Sequence, residues 1–170
     1  SPYLSYGTAV HEAIENFLNT GKMNPSVAIT MIESEWEKHG FDSQEFIDNH
    51  AAYRKSQGWK PKPHPPLPEW KEYAETALSR LPEFLTETFG DYEIVSAEEE
   101  LYEYFAYSDI FFKGFIDALI KTKVRGKEGY YVIDWKTAGD KGWYRSKRQD
   151  ILTWAQIALY KTFWRNKLGL

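Results

Sequence analysis

Two apolar segments, KGFIDALIKTKV and GYYVIDWKTA, each carry an aspartate among β-branched and aromatic residues, and any fold of this chain has to accommodate those two acids. Both segments have the composition of β-strands. Side chains alternate along a strand, so Phe115, Asp117 and Leu119 are expected on one face and Ile116, Ala118 and Ile120 on the other. Both faces are apolar, which makes Asp117 a carboxylate on a buried strand, and a buried charge without a partner is strongly destabilising. In the second segment Asp134 and Lys136 share a face with Tyr130 and Val132, while Ile133 and Trp135 point the other way. A tight turn centred on Arg125-Gly126 sets Asp117 directly across from Asp134; a longer loop shifts that pair. Two carboxylates so close repel unless a cation joins them, and a hard divalent metal with oxygen ligands satisfies both. Lys136, next along the face, is suited to steady charge on a phosphoryl centre or to hold an attacking water. An Asp–Lys surface pair on an edge strand is the simpler reading of the same stretch.

The rest of the chain supplies helices around these strands. SYGTAVHEAIENFLNTG reads as a helix of about 12 residues, with Thr8 as its cap and Gly21 as its stop. NPSVAITMIESEWEKHG reads as a second, with Pro25 at its first turn and Gly40 past its end, and DSQEFIDNHAAYRKSQG as a third. WKPKPHPPLPEW holds five of the eight prolines and is expected to run extended over the surface, a Pro-rich segment at about 58–68. A helix from Glu69 to Phe89 should be kinked or broken near Pro82. After YEIVSAEEELYEYFAYS and the two strands above, DILTWAQIALYKTFWRNKLG returns to helical spacing, with Ile151, Trp154, Ala155, Ala158, Leu159 and Thr162 marking one face. The expected architecture is one α/β (α+β) domain over residues 1–170.

Charge is divided unevenly. The net charge is −4, yet residues 121–170 hold 12 Lys and Arg against 4 Asp and Glu, leaving 9 against 21 for residues 1–120. A polyanion responds to local charge, so the C-terminal third can carry its footprint; a solvated basic face is the plainer alternative. Within it, GDKGWYRSKRQD interleaves Lys141, Arg145, Lys147 and Arg148 with Trp143 and Tyr144, a pattern suited to DNA backbone contact and base stacking. The absence of cysteine excludes disulfides, thiolate zinc sites and a cysteine-held iron–sulfur cluster. No apolar run is long enough for a membrane span and the first residues lack a secretory pattern, so a cytoplasmic location is expected, in the host cytoplasm if the gene is viral. The absence of an initiator Met suggests a processed or trimmed chain.

Two helical pairs complete the set. His11 and Glu15 lie four apart on one face, where an imidazole can fill an open metal position, although a helical His is more often simply packed. Gln156 and Tyr160 also lie four apart, placed to hydrogen-bond a phosphate or the surroundings of the lysine. In order, GTAVHEAIE, AEEEL, GFIDALI, VIDWKTA and QIALY resemble the motifs of the PD-(D/E)XK nuclease superfamily, in its RecB-like branch of phage-type and CRISPR-adaptation nucleases.

The resemblance implies a restriction-endonuclease-like core, a central mixed β-sheet flanked by helices. It implies hydrolysis of DNA phosphodiesters with Mg²⁺ or Mn²⁺. It assigns His11, Asp117, Asp134 and the backbone carbonyl of Trp135 as metal ligands, with Glu98 as a further acid; Glu100 shares the strand face of Glu98, and Glu99 points away. Lys136 becomes the catalytic lysine, and Gln156 and Tyr160 orient the site and contact the DNA backbone. The four-cysteine cluster of several relatives is missing, so no iron–sulfur cluster is expected. The expected function is an exonuclease on DNA ends or single strands in recombination, repair or phage DNA processing, with a recombination or replication protein as partner. A structure-specific endonuclease or a non-catalytic DNA-binding module are the alternatives.

Overall fold

The computed structural model describes residues 1–104, 109–137 and 149–169, with Val124 described by its backbone alone. These residues form five helices and a three-stranded antiparallel sheet, a mixed α/β architecture consistent with a restriction-endonuclease-like core. The chain divides into two compact units, Ser1–Phe17 with Lys22–Glu83, and Leu18–Gly21 with Phe84–Leu170. Among the described residues no helix is long and apolar enough to cross a membrane.

The first unit is helical. Helix α1 (Pro2–Thr20) begins well before Thr8, which therefore lies inside the helix rather than capping it. Its buried residues Tyr6, Ala9, Val10, Ala13, Ile14 and Phe17 recur at three- and four-residue steps, the spacing of a single apolar stripe. His11 and Glu15 are half-buried beside that stripe. Helix α2 (Ser26–His39) buries Ala28, Ile32 and Trp36 and ends at Gly40 in the left-handed conformation, φ 57°. Helix α3 (Gln44–Ser56) is capped by Ser43, whose hydroxyl accepts the Phe46 N–H at 3.2 Å. The Pro-rich segment that follows contains no regular element before helix α4 (Leu67–Phe89), and Trp70 Nε1 donates to Pro65 O at 2.7 Å. Of the expected kink or break at Pro82, the break does not occur: one helix runs through it. An interior proline costs about 3 kcal/mol, and the buried Ala74, Leu78, Leu81 and Leu85 supply apolar burial on either side that offsets it.

The second unit holds the sheet, formed by β1 (Tyr92–Tyr104), β2 (Phe111–Val124) and β3 (Lys127–Ile133), in the order β1-β2-β3. Strands β2 and β3 meet at Arg125-Gly126, both with positive φ (51° and 79°), the two-residue turn whose twist matches a hairpin. Pairing then runs from Val124↔Lys127 to Ala118↔Ile133, the register expected from a tight turn. Helix α5 (Ile151–Lys167) is capped by Asp150 and packs Tyr160, Phe163 and Trp164 into a cluster with Leu101, Ile116 and Leu119. Phe112 stacks on Phe163 at 4.4 Å, and Tyr130 lies 4.9 Å from Trp164. The buried face of α5 is therefore not the expected one: Ile151 and Trp154 are exposed. The larger rings at 160, 163 and 164 remove more apolar surface from water than the alanines of the other face.

Strict alternation also fails in β2. Ile116 and Leu119, three apart, belong to one cluster, whereas Phe115 is exposed. Glu98, with φ 55°, lies between the pairs Ala97↔Ala118 and Glu99↔Ile116, which keep one register, while the register itself shifts between Ile94 and Ser96. A non-glycine residue in that conformation inside a strand re-aims the side chains on either side of it. That register leaves Asp117, between Ile116 and Ala118, across from Glu98.

Two polar contacts brace this unit. Thr122 Oγ1 lies 2.8 Å from both Phe89 O and Asp91 O. Replacing Thr122 by Val keeps the shape and removes the donor, and should lower the unfolding free energy by about 1–2 kcal/mol in urea titrations. At the end of α5, Lys167 Nζ donates to Glu99 Oε1 at 2.6 Å, and this hydrogen bond, working against burial, holds the Glu99 carboxyl below the usual glutamate range. A lowered folded value stabilises above the unfolded value, and the contribution is lost as pH falls through the folded one. Lys167→Met should thus destabilise at neutral pH and converge with the parent chain in acid, as read from unfolding midpoints across that range.

Candidate active site

The site grows from the end of the β2–β3 ladder. Continued by one step, the register would pair Asp117 with Asp134, but β3 ends at Ile133. Instead the Trp135 N–H donates to Asp117 Oδ2 at 2.6 Å. A side-chain carboxylate takes the place of a ladder carbonyl, and the strand stops there. Asp134 and Lys136 consequently lie just beyond the strand rather than within it, with Asp117 bonded to the residue between them.

The Asp134 side chain is only 6 % exposed and uses both oxygens: Oδ2 receives Lys136 Nζ at 2.7 Å, and Oδ1 receives Gln156 Nε2 at 3.3 Å. A carboxylate this buried is strongly destabilising unless paired and hydrogen-bonded, and Asp134 is both. Lys136 is 39 % exposed, so its ammonium bridges the buried acid and the solvent. Gln156 Nε2 also donates to Tyr160 Oη at 2.8 Å. Tyr160 is buried, and its ring rests on β2 at Gly114, where an added Cβ would come within 2.6 Å of Tyr160 Cε1. Sequence reasoning passed over Gly114, although an isolated glycine inside a strand is the signal for such a close approach.

The structure thus brings together Asp117, Trp135, Asp134, Lys136, Gln156 and Tyr160 in the second unit. His11 stands on α1 within the first unit. Glu98 is exposed, Glu100 pairs with Lys113 at 3.3 Å, and Glu99 is taken by Lys167. Lys141, Trp143, Tyr144, Arg145, Lys147 and Arg148 lie outside the described residues. Among the described residues no three His, Asp or Glu side chains gather as a metal cluster.

Residues 1–169 match the family model of the PD-(D/E)XK nuclease superfamily, and the chain belongs to that superfamily, whose members typically use divalent metals. No curated protein and no solved structure matches the chain.

Asp117 has a structural duty as well as any chemical one. Asp117→Ala leaves the Trp135 N–H without its acceptor and should lower stability by about 1.5–3 kcal/mol, whereas Asp117→Asn keeps an acceptor oxygen and should lose less. Chemical unfolding of the two variants measures the difference.

Proposed function

We propose that this chain is a Mg²⁺- or Mn²⁺-dependent deoxyribonuclease of the RecB-like branch, acting as an exonuclease on DNA ends or single strands. The observation that supports the reading is the pair of contacts at the end of a single hairpin: Asp117 on the Trp135 N–H, and Asp134 on Lys136. The donor set fits a hard divalent ion, since Asp117, Asp134 and the Trp135 carbonyl all offer oxygen. His11 and Glu98 would complete it, with residues 1–170 working as one nuclease domain. When bound, such an ion lowers the pKa of water and polarises a phosphoryl oxygen.

The chain's own groups do the rest. Lys136, partly exposed and tethered to Asp134, is placed to offset negative charge developing on the phosphate or to hold the attacking water. Gln156 fixes one oxygen of Asp134, so that the carboxylate presents a constant orientation. The basic excess of residues 121–170, with Lys141, Arg145, Lys147 and Arg148 between Trp143 and Tyr144, supports DNA as the substrate. Gln156 and Tyr160 support the site from α5 and stand near where the backbone would lie. The biological setting we assign is recombination, repair or phage DNA processing in the cytoplasm, alongside a recombination or replication protein.

Digestion of end-labelled and circular single-stranded DNA tests this. The chain should degrade the linear substrate with Mg²⁺ or Mn²⁺, leave the circle intact, and stop in EDTA. Asp117→Asn, Asp134→Asn and Lys136→Ala should each reduce cleavage by about 10³-fold or more while circular dichroism stays that of the parent. Full activity in any of the three refutes the assignment, and cleavage of the circle replaces the exonuclease with an endonuclease.

A further inference from the structure

Asp134 is held through a relay that begins on the other strand. Gly114 lies opposite Leu101 on β2, and Leu101 belongs to the buried cluster of α5. A Cβ at Gly114 would stand 2.6 Å from Tyr160 Cε1 and 3.1 Å from two atoms of the Phe112 ring. Neither ring has slack: Tyr160 is buried, and Phe112 is stacked on Phe163 at 4.4 Å while lying 6.1 Å from Tyr160. The missing side chain at Gly114 is therefore the space that seats the Tyr160 ring on the strand. Seated there, the hydroxyl lies 2.8 Å from Gln156 Nε2. That amide has two hydrogens, and the other goes to Asp134 Oδ1 at 3.3 Å.

From this continuity we infer that Gly114 and Tyr160 are positioning residues for Asp134, acting through Gln156. The inference rests on the nuclease reading above for its consequence and on geometry alone for its mechanism. Strand β2 orients both acids: it carries Asp117 directly, three residues after Gly114, and it reaches Asp134 through the Tyr160 ring and the Gln156 amide. Residues that orient a ligating group commonly change activity or metal affinity by about 10–100-fold when altered. Tyr160 also has no need of solvent access for this task, in keeping with its burial.

Steady-state cleavage of end-labelled DNA by Gly114→Ala, Tyr160→Phe and the double variant tests the relay. Each single variant should lower kcat by about tenfold or more with KM for DNA nearly unchanged. The double variant should be no slower than the slower single one, because the same hydrogen bond is lost only once. Wild-type kcat in both single variants, or losses that multiply in the double one, would overturn the proposal. Tyr160→Phe keeps the ring and stands as the test by itself if Gly114→Ala does not fold. A second measurement is independent of catalysis: the Gln156 side-chain amide, followed by nitrogen-15 NMR, should exchange slowly in the parent chain and quickly in both variants. Should the parent cleave no DNA with any metal, the nuclease reading fails, and the amide still decides the relay: fast exchange in the parent chain sinks it.

Discussion

The hydrogen bond from the Trp135 backbone to the Asp117 carboxylate is the hinge on which the second unit turns from scaffold into site. It ends a β-ladder with a side chain, so that the residues immediately after, Asp134 and Lys136, leave the strand together beside it. An acid placed in a strand with apolar residues on both sides has few tolerable environments; a backbone amide of the neighbouring strand is one of them. The same contact fixes the peptide of Trp135 against the Asp117 carboxylate.

Around that hinge each element has a distinct task. The β2–β3 turn sets which residues meet, and the departure from alternation at Glu98 and Asp117 sets which way they point. Helix α5 covers the sheet with three aromatic residues and, from the same face, reaches Asp134 through Gln156. Packing and chemistry thus share a surface, because Tyr160 is at once part of the core and the acceptor for the Gln156 amide. Disturbing the core on this side also disturbs the acid.

Much of this was legible in the sequence where local chemistry is decisive. Arg125-Gly126 announced a two-residue turn, and the pairing from Val124↔Lys127 down to Ala118↔Ile133 followed from counting. Gly40 marked a helix end for reasons of conformation. Where tertiary burial decides, reading failed. Pro82 looked like a kink or a break, and the break is absent because apolar burial continues on both sides of it within one helix. The face of α5 was misplaced because small and large apolar residues count alike in a periodicity, whereas the sheet selects the large rings. Nothing in a run of glutamates signals which one adopts a positive φ, so the turn in side-chain direction at Glu98 could not be foreseen. Gly114 was visible as a glycine in a strand, but its purpose needed Tyr160 from far along the chain.

The two-residue connection between β2 and β3 has a bearing on how this chain can vary. Surface loops ordinarily absorb insertions and deletions with little effect. Here the loop length indexes every facing pair down to Ala118 and Ile133, and a slip of one residue exchanges the two sides of a strand. A substitution at Arg125 that tolerates its positive φ leaves the pairing intact, whereas an added residue between Val124 and Lys127 that slips the register would carry Asp134 away from its place beside Asp117.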